Sequence, residues 1–104
     1  MRYKIYYTPK AQADLDAIWY YIAVAKAAPQ TAGRVITRIT TAIDRLTDIG
    51  GGYKLYPDEP WASQGVHIFS VRNYSVLYRL GGAGKRIEIL RIIVGGRDHK
   101  SVSL

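Results

Sequence analysis

The N-terminal residues alternate between apolar and polar side chains before the chain changes to a helical spacing. The alternation covers residues 2–8 and predicts a half-buried strand. The inner face of this strand carries Tyr3, Ile5 and Tyr7. Thr8 and Pro9 follow, and they have the pattern of a helix N-cap and a proline at the first helical position.

Two apolar stripes at helical spacing come next, and together they predict an antiparallel helical hairpin. The first helix is predicted for residues 9 to about 27, and Pro29 ends it. Its stripe consists of Ala11, Leu15, Ile18, Trp19 and Ile22. The stripe of the second helix consists of Val35, Ile36, Ile39, Ala42, Ile43, Leu46 and Ile49. The glycines at 50–52 close the second helix, because glycine readily adopts the left-handed conformation found at helix C-termini.

The remainder of the chain predicts a loop followed by three strands. Residues 53–65 are rich in proline and other turn-forming residues, which indicates a loop. Strands are predicted at about 66–71, 73–80 and 86–94, with the stretch GGAG as a hairpin loop between the last two. The order predicts one α+β domain over residues 1–104. Its single mixed sheet would contain the three-stranded antiparallel run and carry the antiparallel helical hairpin on one face.

Both faces of the three-stranded run are rich in apolar residues, although two helices cover only one face of a sheet. We expect the hairpin to pair Leu80 with Lys85. One face then carries Tyr74, Val76, Tyr78, Ile87, Ile89, Ile93 and Arg91. The other carries Leu77, Leu90, Ile92 and Val94 among Asn73, Ser75, Arg79, Arg86 and Glu88. An apolar strip bordered by arginines predicts a protein-binding groove, unless a bulge or the 53–65 loop covers it.

Composition changes this picture mainly through charge. The 104 residues carry 15 Lys and Arg against 8 Asp and Glu, which gives a net charge of +7 and a pI near 9.8. A small domain this basic commonly binds a polyanion or an acidic protein, and a charge that serves solubility alone is the alternative. No apolar run approaches the roughly 20 residues that cross a bilayer, and the N-terminus lacks a signal-peptide core. A cytoplasmic protein without a membrane partner is therefore expected.

The chain offers little conventional catalytic chemistry. It contains no cysteine, which excludes disulfides, thiolate nucleophiles and cysteine zinc sites. Histidines and carboxylates do not cluster at ligand spacing, so neither a metal nor another cofactor is expected. Asp14 and Asp16 lie two residues apart on a helix and form no carboxylate pair. His67 is expected to face water from a strand, and His99 is the one candidate for a general acid or base, with a bystander role as the alternative.

Arginines concentrate in two parts of the chain. Arg34, Arg38 and Arg45 form a stripe along the second helix, which is typical of a solvated helix face. A second set lies in the last third of the chain, interleaved with Tyr74 and Tyr78. This set consists of Arg72, Arg79, Arg86, Arg91 and Arg97. Guanidinium groups beside aromatic rings bind single-stranded RNA in some proteins and acidic amphipathic peptides in others, and the spacing leaves both open.

The order of the motifs resembles one known family. A strand leads into TPKAQADL at 8–15, and a helical hairpin, VRNYSVLYR at 71–79, RIEILRI at 86–92 and GGRD at 95–98 follow. This succession resembles the RelE/ParE superfamily of bacterial toxins over nearly the whole chain. The resemblance implies a toxin of a type II toxin–antitoxin pair. It also implies a cognate antitoxin whose C-terminal segment wraps the toxin in a hetero-oligomer.

The superfamily contains two activities, and the resemblance is stronger to the ParE branch, whose members inhibit DNA gyrase by trapping its DNA cleavage complex. This branch implies no catalytic residue. It implies target or antitoxin contacts through Arg72, Arg79, Arg91, Arg97, Leu77, Leu90 and Ile92. The alternative is a RelE-like endoribonuclease that cuts messenger RNA on the ribosome. In that case Arg72 and Arg97 would stabilise the phosphate, and His99 would be the acid or base.

Overall fold

The computed structural model describes residues 3–49, 53–81, 85–95 and 102–104, and its elements follow the predicted order. They are β1 (Lys4–Tyr7), α1 (Pro9–Tyr20), α2 (Pro29–Asp44), α3 (Leu46–Ile49), β2 (Val66–Val71), β3 (Tyr74–Gly81) and β4 (Arg86–Val94). The sheet order is β1-β4-β3-β2, with β1 parallel to β4 and the other neighbours antiparallel. The predicted α+β fold is confirmed. Within the described ranges, no helix has the length and apolarity to cross a bilayer.

Thr8 connects the first strand to the first helix, as its position before Pro9 predicts. Its hydroxyl oxygen accepts a hydrogen bond from the amide of Ala11 at 3.1 Å, which caps α1. The same hydroxyl donates to the carbonyl oxygens of Ile89 at 2.9 Å and Leu90 at 3.1 Å. The start of α1 is therefore fixed to β4 as well as to the strand that precedes it.

The first helix ends earlier than its apolar stripe predicts. After Tyr20 the helix widens into a π-helical turn at Tyr21–Ala25, and Pro29 is already the first residue of α2. Proline is well tolerated there because the first helical amide has no partner within the helix. Trp19, which the sequence places in the buried stripe, is 44% exposed. It lies one residue beyond the buried Ile18, which is about 100° of rotation around the helix.

The main core lies between the helices and the sheet. The helices contribute Ala11, Leu15, Ile18, Ile39, Ile43 and Leu46. The sheet contributes Phe69, Val71, Val76, Tyr78, Ile87, Ile89 and Ile92. Removing such apolar surface from water stabilises a fold by roughly 25 cal/mol per Å², so this layer is the main source of stability.

The hairpin between β3 and β4 differs from the predicted pairing in two ways. Leu80 pairs with Ile87, two residues beyond the predicted partner. Farther along, the register shifts between Leu77 and Tyr78, and Leu90 is left as the extra residue of a β-bulge. Because side chains alternate along a strand, one extra residue exchanges the faces of every residue that follows it.

The bulge reverses the faces predicted for the end of β4. Ile92 packs into the helix-covered core, and Ile93 belongs to the opposite face. The prediction that Ile92 lines a groove on the uncovered face is therefore wrong. Because Leu90 is left unpaired in the bulge, Leu77 pairs with Arg91.

The second face of the sheet is covered by the loop and by the C-terminal residues. Its small core consists of Tyr56, Val66, Leu77, Leu90 and Ile93, with Trp61, Ile68, Val102 and Leu104 packed against it. The amide of Tyr56 donates to the carbonyl oxygen of Val66 at 2.7 Å, which attaches the loop to β2. Leu77 is 0% exposed and Leu90 is 5% exposed, so neither lines an open groove. The alternative in which the 53–65 loop covers this face is the correct one.

Gly95 provides a test of how closely the end of β4 packs on the turn between β2 and β3. A Cβ atom at Gly95 would lie 2.6 Å from the carbonyl oxygen of Asn73, and that oxygen also accepts the amide hydrogen of Gly95. We expect Gly95→Ala to lower the free energy of unfolding by about 1–3 kcal/mol, because backbone must move to admit the methyl group. Equilibrium urea denaturation measures this change.

The matched control is Gly33→Ala. Gly33 lies inside α2, and a Cβ atom there meets nothing within 4 Å. The substitution should raise the free energy of unfolding by up to about 1 kcal/mol, since alanine is the better helix former. Equal stability of Gly95→Ala and the wild type would contradict the close contact.

Candidate functional site

An open cleft of about 430 Å³ lies between α2 and the turn that joins β2 to β3. Three arginines line it, namely Arg38, Arg45 and Arg72. The other described lining residues are Thr41, Ala42, Tyr53, Phe69, Ser70 and Val71. None of these is acidic, and the ion pairs between described residues do not include the three arginines. We call this feature the arginine cleft.

Helix geometry explains why α2 and its C-cap residue, Arg45, contribute two of the three guanidinium groups. Arg38 and Arg45 are seven residues apart, which is close to two helical turns, so they lie on the same side of α2. They border the buried positions Ile39 and Ile43, which pack on the sheet. Both side chains are exposed, as a solvated face predicts, but they stand at the edge of the sheet contact and face the cleft.

The turn between β2 and β3 supplies the third guanidinium group. Arg72 has a positive φ of 53°, a backbone conformation that costs a residue other than glycine on the order of 1 kcal/mol. The hydrogen bond from the amide of Gly95 to the carbonyl oxygen of Asn73 holds this turn against the end of β4. Arg72 is thus fixed beside α2 by the hairpin.

A second pocket of about 600 Å³ adjoins the arginine cleft. Its described lining consists of Tyr53, Lys54, Tyr56, Pro57, Ile68, Phe69, Ser70 and Ser75. Tyr53, Phe69 and Ser70 line both cavities, so the two are continuous. The ring of Tyr53 stacks on that of Phe69 at 4.7 Å between centroids and remains partly exposed. We call this feature the aromatic pocket.

The sequence predicts that His67 faces water from a strand. In the structure its ring instead makes two contacts that position the aromatic pocket. Its Nδ1 atom lies 2.8 Å from the carbonyl oxygen of Tyr53, which can only accept a hydrogen bond, so the proton is on Nδ1. The His67 ring also stacks on Tyr78 at 5.0 Å, and burial raises the pKa of the Tyr78 hydroxyl. These contacts fix the loop that carries Tyr53 to β2 and β3.

Arg91 does not line either cavity and is paired with a carboxylate of α1. Its Nε and Nη2 atoms bind the two oxygens of Asp14 at 2.7 and 2.8 Å, and Asp14 also accepts the amide of Ile92 at 2.9 Å. The hydrogen bond with Asp14 raises the pKa of Arg91. The side chains are only 19% and 15% exposed, so this bidentate pair is part of the fold.

The same arginine holds residues 102–104 on the second core. Its Nη1 atom donates to the carbonyl oxygen of Ser103 at 2.7 Å. Lys10 donates to the hydroxyl of Ser103 at 2.9 Å and to the carbonyl oxygen of Leu104 at 3.1 Å. Val102 and Leu104 can therefore stay packed over the buried leucines of the sheet.

The remaining arginines of the sheet are paired near the β3–β4 hairpin. Arg79 lies 3.2 Å from Glu88, and Arg86 lies 3.6 Å from the same carboxylate. The Arg86 guanidinium also stacks over the ring of Tyr6 at 4.1 Å. The Arg79 side chain is 42% exposed, so its pair with Glu88 contributes little to stability and is open to competition.

The structure does not bring the predicted contact residues together in one site. Of that set, Arg72 lines the arginine cleft, whereas Arg79 and Arg91 are in ion pairs elsewhere. Arg97 and His99 lie outside the described residues, so their roles stay predictions.

Sequence reasoning missed Arg38, Arg45 and Tyr53 as neighbours of Arg72. The seven-residue spacing of the two helical arginines, directly beside buried isoleucines, was the signal that could have indicated an edge position.

Comparison with known proteins gives the family. The model of the family described as the ParE toxin of the type II toxin–antitoxin system parDE matches residues 5–99. The chain belongs to the ParE toxin family. No curated protein matches this ParE-family chain in sequence.

Two solved structures share the fold of this ParE-family chain. The chromosomal ParDE toxin–antitoxin system from P. aeruginosa matches at 28% identity with a TM-score of 0.71, covering 90% of this chain and 97% of the other. The RelBE2 toxin–antitoxin complex from Mycobacterium tuberculosis matches at 21% identity with a TM-score of 0.58, covering 90% and 99%. At the lower identity, the likeness concerns the fold alone.

Loss of Asp14 should disturb the ParE-family fold where α1 contacts β4. We expect Asp14→Ala to lower the free energy of unfolding by about 2–3 kcal/mol, because it removes charge-assisted bonds to Arg91 and leaves the Ile92 amide without its acceptor. Residues 102–104 should also lose order, seen as narrower, random-coil NMR signals for Ser103.

Asp16→Ala is the matched control for this prediction. Asp16 is an exposed carboxylate on the same helix, and its hydrogen bond is with Gln12. Its removal should change stability by less than about 0.5 kcal/mol. Similar effects of the two substitutions would contradict a special role for Asp14.

Proposed function

We propose that this chain inhibits DNA gyrase by trapping the DNA cleavage complex of that enzyme. The observation that carries the proposal is the match to the ParE toxin family over residues 5–99. The likeness to the chromosomal ParDE structure at 28% identity supports it. A net charge of +7 and an open arginine cleft suit a target that contains DNA.

The proposed mechanism is binding without catalysis by the toxin itself. A ligand that binds the cleaved state of gyrase more tightly than the resealed state shifts the equilibrium towards cleavage. A tenfold shift needs a difference in binding free energy of about 1.4 kcal/mol, which one or two charge-assisted hydrogen bonds supply. Arg72, which lines the open arginine cleft, is our first choice for such a contact, and Arg97 is our second choice on the basis of the sequence.

We further propose that a cognate antitoxin neutralises the chain in a hetero-oligomer. The two similar structures are described as a toxin–antitoxin system and a toxin–antitoxin complex. An acidic antitoxin segment would compete with Glu88 for the exposed Arg79 and approach Arg91 at the surface. Because Leu77 and Leu90 are buried, its apolar contacts would involve the residues that cover them.

Gyrase itself provides the test of the proposed target. Purified protein incubated with gyrase, ATP and plasmid DNA should abolish supercoiling and accumulate double-strand breaks. Arg97→Ala should weaken both effects by about tenfold, the loss expected for one charge-assisted hydrogen bond, with an unchanged melting temperature. The matched control is Arg34→Ala, which removes the same charge from the surface of α2.

Unaffected gyrase in the presence of folded protein would contradict the proposal. Cleavage of messenger RNA on ribosomes would then be measured. If His99→Ala cleaved messenger RNA about 10²-fold more slowly than the wild type, the RelE-like alternative would be established.

The antitoxin proposal predicts a partial dependence on salt. The affinity for an acidic antitoxin segment should fall as the salt concentration rises and then level off, because screening weakens charge pairs but leaves apolar contacts in place. Isothermal titration calorimetry at several salt concentrations measures this dependence. Arg79→Gln should reduce the salt-sensitive part, and an affinity that ignores salt altogether would rule out the arginine contacts.

A further inference from the structure

We propose that the arginine cleft and the aromatic pocket form one groove for a single-stranded nucleic acid, with a backbone phosphate between the arginines and a base against Tyr53. This inference deepens the proposed function, on which the choice of DNA rather than RNA as the bound strand rests. Arg38, Arg45 and Arg72 face one cleft without an acidic residue among its described lining.

Three guanidinium groups in one cleft repel each other, and an anion between them removes that repulsion. Guanidinium groups match the oxygens of a phosphate through paired N–H donors, which makes arginine well suited to this ligand. Thr41 and Ser70 place two hydroxyl groups in the same lining, and such hydroxyls frequently accompany arginine at phosphate sites.

The aromatic pocket favours a nucleotide over an acidic side chain as the source of the anion. Its volume of about 600 Å³ is in the range of sites that enclose a small organic ligand. A carboxylate from a protein would satisfy the arginines and leave this neighbouring space empty. A nucleotide carries an anion and a flat ring at adjacent positions, and the shared wall formed by Tyr53, Phe69 and Ser70 connects the places for both.

Tyr53 has the support that a stacking platform needs. The ring of Phe69 stacks on that of Tyr53 with 4.7 Å between centroids and an interplanar angle of 18°. The Nδ1 atom of His67 lies 2.8 Å from the carbonyl oxygen of Tyr53. The side chain is nevertheless 39% exposed. Stacking of a base on such a ring contributes a factor of about 5 to 150 in affinity.

The geometry requires an unpaired strand. In a duplex the faces of the bases are covered by their neighbours, whereas in a single strand they are free to stack on a side chain. Lys54 lines the aromatic pocket and supplies a cation for the next phosphate along the strand. The groove therefore follows a backbone from the arginine cleft past Tyr53 towards Lys54.

Fluorescence anisotropy with labelled oligonucleotides tests the groove directly. The wild type should bind a mixed-sequence single strand more tightly than the corresponding duplex, with log K falling against log salt at a slope of about −1.4 or steeper for the two phosphates at the arginines and at Lys54. Arg38→Gln, Arg45→Gln and Arg72→Gln should each weaken binding, and Lys54→Gln, which loses the contact with the second phosphate, should make the slope shallower by about 0.7. Tyr53→Leu keeps apolar cover on Phe69 and should weaken binding about fivefold or more with the slope unchanged.

Two control variants separate the groove from general surface charge and aromaticity. Arg34→Gln removes an arginine from the same helix that lies outside the cleft and contacts Thr31. Tyr20→Leu removes a more exposed tyrosine on α1. Both should bind oligonucleotides as the wild type does, and thermal unfolding confirms that every variant is folded.

Equal effects of the cleft variants and Arg34→Gln would overturn the proposal, as would tighter binding of the duplex. Binding of polyglutamate with the same dependence on the three arginines and on Tyr53 would overturn it in favour of an acidic protein segment. Parallel titrations with DNA and RNA of the same sequence identify the strand. If wild-type protein binds the oligonucleotide through the groove but leaves gyrase unaffected, the groove stands and the proposed function fails.

Discussion

Strand β4 has nine residues and its parallel partner β1 has four, so the edge of β4 that faces β1 has no strand partner beyond Ile89, although β3 still pairs with the opposite edge. The beginning of α1 provides hydrogen-bond partners there through the Thr8 hydroxyl and the Asp14 carboxylate. Because the Asp14 carboxylate is charged, it also binds Arg91. This arginine then holds the C-terminal residues on the second core. The docking of α1, the edge of the sheet and the cover of its second face therefore depend on one carboxylate.

This arrangement separates structural arginines from those available to a partner. Arg91 is neutralised by Asp14 within the fold, whereas Arg79 and Arg86 share Glu88 in exposed pairs that a partner can replace. The arginines of the cleft have no such partner among the described residues, although they belong to the same small domain. A basic surface is thus not uniform, since some of its cations stabilise the fold and others are held open. The net charge alone does not distinguish the two kinds.

The elements were predictable from the sequence, whereas the contacts between distant residues were not. Alternation, helical spacing and the Thr8 cap are local signals, and the predicted order of strands and helices is confirmed. The bulge at Leu90 has no local signal, because it depends on how β3 and β4 pair, and a single extra residue moved Ile92 to the other face. The bond between Asp14 and Arg91 joins positions 77 residues apart, beyond the reach of any periodic pattern.

The turn at Arg72 shows why a departure from local rules points to function. A two-residue turn with a positive φ at its first position favours glycine, asparagine or aspartate. An arginine at that position lowers the stability of the fold. Gly95, which has no room for a side chain, keeps the turn in place, so the hairpin is built to hold this conformation. Arg72 pairs with no described carboxylate and lies opposite two further cations, Arg38 of α2 and Arg45 at the C-cap of that helix. Local strain and unrelieved like charge at the same place are costs to the isolated fold, and an anionic partner is the agent that would offset the second of them.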